Sequence, residues 1–167
     1  MTKAVAGLVT VGSGSYAADD VQFLLQAVQM ETTDVLEKER LIQSKQKHYS
    51  EMISLESAPT DVHKALYERA LEQNGTRMAM DVQSLALALS EACTGPSIVL
   101  VSFVRAGLPL GVLLRRALLD MGRDAHHYGI SIVRDRGIDK VALEAIIQAH
   151  GAENIVFVDG WTGKGAI

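Results

Sequence analysis

A chain of 167 residues with 48% hydrophobic content can bury one substantial core, and its formal charge of −4 gives no general attraction to nucleic acid. A single cysteine, Cys93, excludes an intrachain disulfide framework and suits a reducing cytoplasm. No apolar run approaches the ~18 residues that would span a bilayer, since Arg105 interrupts the longest candidate, so no membrane partner is expected.

The opening "MTKAVAGLVTV" has a lysine, a short apolar stretch and small residues, with Asp19 and Asp20 close behind. It reads as the first strand of a sheet rather than a targeting segment. After the turn "GSGS", the first half has a helical texture. "YAADDVQFLLQAV" begins with acids suited to a helix N-terminus. "TTDVLEKERLIQSKQKHY" is a polar helix with Thr32 or Thr33 as its cap. "TDVHKALYERALEQNG" closes on Gly75, and "RMAMDVQSLALALSEAC" forms a separate apolar-faced helix.

From residue 97 the rhythm changes. "SIVLVSFV" is a nearly continuous apolar run, as in a strand covered on both faces. Pro109 suits the first turn of a helix that Gly122 closes, and "HYGISIV" is the next strand. Asp139 caps "KVALEAIIQAH", Gly151 ends it, and "NIVFV" is a third strand. The expected architecture is one α/β domain over residues 1–167, with a strand and helices in 1–95 and a βαβαβ core with a parallel sheet in 96–167.

Ligands of such sheets bind beyond the carboxyl ends of the strands, and two of those ends carry unusual residues. Arg105, Ala106 and Gly107 combine a guanidinium with lightly shielded backbone before a helix, which suits an anion, whereas Gly107 taken alone reads as a simple βα turn. Asp159 ends the last strand and opens into Gly160, Trp161, Thr162, Gly163, Lys164 and Gly165. The spacing and the Lys-Gly ending exclude a Walker A loop. Arg134 and Arg136 flank Asp135, either closing over an anion or forming a solvated turn. His126 and His127 lack metal-ligand spacing and read as surface histidines. Lys47, His48, Tyr49 and Ser50 read as a helix end, and Ser15 and Tyr16 as turn residues. Cys93, near the end of an apolar helix with no adjacent histidine, reads as structural.

The two loops together resemble a type I phosphoribosyltransferase. "GSYAADDVQFLL", "EKERLIQSKQKHYSEM", "VSFVRAGLPLGVLLRRAL", "HYGISIVRDRGID" and "FVDGWTGKGAI" are similar to one subgroup. These are the phosphoribosyltransferase-like proteins of bacterial tellurite-resistance (ter) operons, also labelled cysteine protease StiP. The resemblance implies a three-layer fold and a glycosyltransferase role in making a nucleoside-like metabolite in a cytoplasmic stress response. It also implies that members extend past residue 167, this chain being the N-terminal portion.

In that reading PRPP enters with Mg²⁺. Asp159 fixes the ribose, Thr162 to Gly165 hold the 5-phosphate with Gly160 and Trp161 among the substrate-binding residues, and Arg105, Ala106 and Gly107 hold pyrophosphate, aided by Arg134 and Arg136. Ser15, Tyr16, His48 and Tyr49 become recognition residues for a ribose phosphate or nucleotide. Two departures stand against the usual transfer mechanism: Asp159 is followed by Gly160 where the family has a second acid, and the loop is shorter, with Trp161 near the place of a catalytic acid. A non-catalytic nucleotide sensor and a cysteine hydrolase remain as alternatives, and a homodimer stays open as an assembly.

Overall fold

The computed structural model describes residues 11–133 and 136–160. The chain divides into two compact units, Met1–Gln26 with Thr76–Ile167, and Ala27–Gly75. The larger unit is an α/β body around a parallel sheet in the order β1-β3-β2-β5. Its strands are β1 (Gln22–Phe23), β2 (Ile98–Val104), β3 (Ala125–Val133) and β5 (Ile155–Val158). The short β4 (Gly137–Ile138) folds back antiparallel on the end of β3.

Strand β2 pairs with β3 along its full length, from Ile98 opposite Ala125 to Val104 opposite Ser131. Its first six residues are buried, as its apolar run requires. Alternate side chains feed two cores. Val99, Val101 and Phe103 pack with Tyr128, Ile130 and with Ala142 and Ile146 of α4 (Lys140–His150). Ile98 and Leu100 pack on the other face with Val82 and Ala86 of α2 (Asp61–Ala92) and Leu114 and Leu118 of α3 (Leu108–Asp120). A side chain as enclosed as Leu100 contributes about 1.5–3 kcal/mol from burial.

The helix ends follow their expected chemistry in this half. Pro109 lies in the first turn of α3, and the Asp139 carboxylate accepts from the Ala142 amide to cap α4, which ends at Gly151 with φ 83°.

In the smaller unit, α1 (Val35–Gln43) is capped by Asp34, whose carboxylate accepts from the Leu36 and Glu37 amides, rather than by Thr32 or Thr33. Those threonines belong instead to an extended segment: Thr32 bridges Ile53, and the Thr33 amide donates to the Ile53 carbonyl at 2.7 Å. Residues 49–51 form a 3-10 turn capped by His48.

Two further expectations are corrected. Residues 16–28 are turns and β1 rather than a helix. The Leu24 amide donates to the Gly129 carbonyl, and Val21, Phe23 and Leu24 are buried, so pairing to β3 overrides the local helical pattern. The anticipated helix break at Gly75 is also absent, because α2 runs through it for 32 residues. The strand expected within residues 1–10 lies outside the described residues. No helix among the described residues is long and apolar enough to cross a membrane.

A Cβ added at Gly75 would meet only Leu71 Cδ1, at 4.0 Å. Gly75→Ala is therefore expected to stabilise the protein by about 0.5–1 kcal/mol, the usual difference within a helix. Denaturant midpoints would check this, and a loss of stability would restore a chain break at Gly75.

Candidate functional site

Because β2 and β5 are parallel neighbours, Arg105–Gly107 and Asp159–Gly160 leave the sheet at the same edge. The backbones there approach closely. A Cβ on Gly107 would fall on the Val158 carbonyl oxygen, and one on Gly160 would collide with the Ala106 carbonyl. These glycines are needed for contact between the two loops. Gly107 is also the N-cap of α3, with no side-chain acceptor closing that helix end, and Arg105 is exposed beside it. The peptide between Val104 and Arg105 is cis. The Asp159 carboxylate accepts from the Gly160 amide at 2.8 Å.

A buried polar chain lies beneath this crevice. Ser102 is fully enclosed, and its Oγ lies 2.7 Å from His127 Nε2 and 3.1 Å from the Gly107 carbonyl oxygen. On the other side of the ring, His127 Nδ1 is 2.9 Å from the Asp20 carbonyl oxygen. Gly111 of α3 packs over the pair, where a Cβ would strike both Ser102 Oγ and His127 Nε2.

The Asp20 carboxylate is itself buried and takes two bonds from Arg116, Nε to Oδ1 at 2.8 Å and Nη2 to Oδ2 at 2.6 Å. Those bonds hold its pKa below the ordinary carboxylate value. Burial pushes the His127 pKa down to about 4, so its ring is neutral at pH 7. Sequence reading missed this chain. The available signal was Ser102, a hydroxyl within an apolar run, which needs a partner once buried.

The other candidates distribute unevenly. Tyr16 packs against the cluster of Val21, Phe23 and Leu108, and Ser15 adjoins it in an exposed turn. Arg136 is exposed in the connection between β3 and β4. His48 and Tyr49 belong to the smaller unit, their rings 4.4 Å apart. Arg134, Trp161, Thr162, Gly163, Lys164 and Gly165 lie outside the described residues.

His126 and His127 are buried, not on the surface, because β3 is covered on both faces. His126 contacts His150, and His150 Nε2 is 2.8 Å from the Tyr128 hydroxyl. Burial raises the Tyr128 pKa to about 12, so the phenol stays protonated. Among the described residues no group of three or more His, Cys, Asp or Glu could hold a metal ion.

Cys93 follows the last residue of α2 and is partly buried against the Val82, Ala86 and Leu118 core. Arg123 Nη2 donates to the Cys93 carbonyl at 2.6 Å and to the Gly95 carbonyl at 3.2 Å, pinning the segment between α2 and β2. His126 and His150 belong to the α4 face of the sheet, whereas Cys93 packs on the α3 face. No imidazole is hydrogen-bonded to its thiol among the described residues.

The buried imidazole has a consequence for stability. An unfolded histidine takes its proton near pH 6.5, whereas folded His127 resists it until about 4. Acid therefore favours the unfolded chain, and stability falls through that window and levels off below it. At 1.36 kcal/mol per pKa unit, the loss is on the order of 3 kcal/mol. The pH dependence of denaturant midpoints for wild type, minus that for His127→Gln, should show this component; parallel curves would refute it. At the crevice, Gly107→Ala should cost about 1–3 kcal/mol through the forced shift of β5, measurable by thermal unfolding.

Comparison with known proteins corrects the functional expectation. A family model described as "Tellurite-like stress resistance cysteine protease StiP" matches residues 14–167. A protein named "Cysteine protease StiP", from Acinetobacter baylyi (strain ATCC 33305 / BD413 / ADP1), is 63% identical over 155 residues, which cover 93% of this chain and 40% of the relative. The chain thus spans about two fifths of the length of that relative. No solved structure matches. The stress-resistance part of the expectation agrees with this family, but a protease is a hydrolase. Phosphoribosyl transfer, the glycosyltransferase class and PRPP binding are therefore overturned as the reading of this chain. With all but its first residues matched, the chain belongs to the StiP family of tellurite-like stress resistance cysteine proteases.

Proposed function

We propose that the protein takes part in thiol-dependent peptide hydrolysis in a stress response, with Cys93 as the nucleophile. One observation carries the assignment to this residue: Cys93 is the thiol that these 167 residues supply, and it is partly exposed where the chain passes from α2 to β2. The family description and the name of the Acinetobacter relative support the reaction class.

In such a reaction the sulfur bonds to the carbonyl carbon, and the C–N bond breaks as the amine leaves with a proton. Water then releases the acyl group from sulfur. Arg123 contributes by fixing residues 93–95 through their carbonyls, which holds the thiol in place.

The exposed Arg105 beside the N-terminus of α3, which no side chain caps, favours a second role for the carboxyl edge of the sheet. There the Arg105 guanidinium and the Ala106–Gly107 backbone would anchor an anionic group such as a peptide carboxylate.

The decisive experiment compares Cys93→Ala and Cys93→Ser with wild type in hydrolysis of an unstructured protein, with unfolding midpoints measured in parallel. Both variants should lose activity by at least about a hundredfold while remaining folded. Retained activity in either folded variant would remove Cys93 from the reaction.

A further inference from the structure

Three short contacts in series connect two backbone carbonyls through His127 and Ser102: Asp20 O to Nδ1 at 2.9 Å, Nε2 to Oγ at 2.7 Å, and Oγ to Gly107 O at 3.1 Å. Both ends are acceptors only, so three hydrogen bonds would need three protons. A neutral imidazole and a hydroxyl carry two. The ring can donate from Nδ1 to Asp20 while Ser102 donates to Nε2, leaving Gly107 without the hydroxyl. Alternatively it donates from Nε2, Ser102 serves Gly107, and Nδ1 faces the Asp20 oxygen with a lone pair. Only the imidazolium satisfies all three.

The Gly107 carbonyl already accepts from the Gly111 amide at 2.9 Å, whereas His127 Nδ1 has no other acceptor among the described residues. The first arrangement is therefore favoured for the neutral ring. We propose that Ser102 and His127 couple the Arg105–Gly107 turn to the protonation of His127, the single Ser102 proton serving His127 in the neutral state and the Gly107 carbonyl once His127 is protonated.

Among the described residues, the charged groups around the ring come from two elements. The preceding loop brings the Asp20 carboxylate, already paired with Arg116, and α3 brings Arg115 and Arg116. Arg115 donates from Nε to the Ala125 carbonyl at 3.1 Å. From β2 the ring meets an uncharged hydroxyl, and His126 faces the opposite side of β3. The coupling stands apart from the chemistry proposed for Cys93, since it acts only on the crevice turn.

Nitrogen-15 and amide NMR of the whole chain tests it. At neutral pH, His127 should carry its proton on Nδ1, and Ser102→Ala should move the Nε2 resonance while leaving the amides of residues 106–108 in place. Lowering the pH should shift those amides in wild type with the midpoint of His127 itself. In Ser102→Ala the ring should titrate without them, and in His127→Gln the transition should vanish. An Nε2-protonated tautomer at neutral pH would overturn the proposal even if acid unfolds the protein. So would turn amides that fail to follow His127, or that follow it without the Ser102 hydroxyl.

Discussion

Strands β2 and β3 are covered on both faces, and that constraint fixes the partners of nearly every polar group near the crevice. A hydroxyl or imidazole within such a strand loses water and must find its hydrogen bonds in the protein. Ser102 and His127 solve this jointly on the α3 side, and Tyr128 finds His150 on the α4 side. His126 solves it only in part: its Nε2 lies 3.4 Å from Asp124, while Nδ1 is buried without a partner among the described residues. Gly111 is the steric counterpart of the Ser102–His127 pair, since any side chain there would push α3 off the sheet at that point.

The same constraint draws in the segment before β1. His127 Nδ1 needs an acceptor, and the Asp20 carbonyl supplies it, so the loop must cross β3 at that height. The Asp20 side chain is then buried too, and Arg116 answers it from α3 with a two-bond fork. Arg116 remains 57% exposed, so the net energy of the pair is modest, because water still competes for the guanidinium. Its weight lies in geometry. Arg115 donating to Ala125 and Arg116 bonded to Asp20 orient successive residues of α3 against β3 and the loop. The crevice turn begins that helix and inherits its placement.

The second half of the fold was legible because each signal was local and mutually consistent. An apolar run too long for one-sided burial gave β2, Pro109 and Asp139 marked helix starts, and Gly122 and Gly151 take positive φ at the ends of α3 and α4. The first half failed where non-local pairing decided. Nothing in "DDVQFLLQAV" announces that two residues will join the edge of β3, and Gly75 weakens a helix without ending it when the flanking turns are strong. The loops at residues 105–107 and 159–160 could be found from their glycines and charges. The Ser102–His127–Asp20 chain could not, because its members are 25 and 107 residues apart in sequence.

The geometry also restricts how the proposed thiol and crevice could serve one substrate. Cys93 precedes β2 and lies at its amino end, pinned by Arg123, whereas Arg105–Gly107 leave its carboxyl end. At ~3.3 Å per residue, the seven residues of β2 put roughly 20 Å between the two rims. A small molecule cannot touch both. An extended polypeptide of about six or more residues can, with an anionic group in the crevice and a scissile bond near the thiol. Joint use of the two proposed features would therefore require an extended chain rather than a compact metabolite.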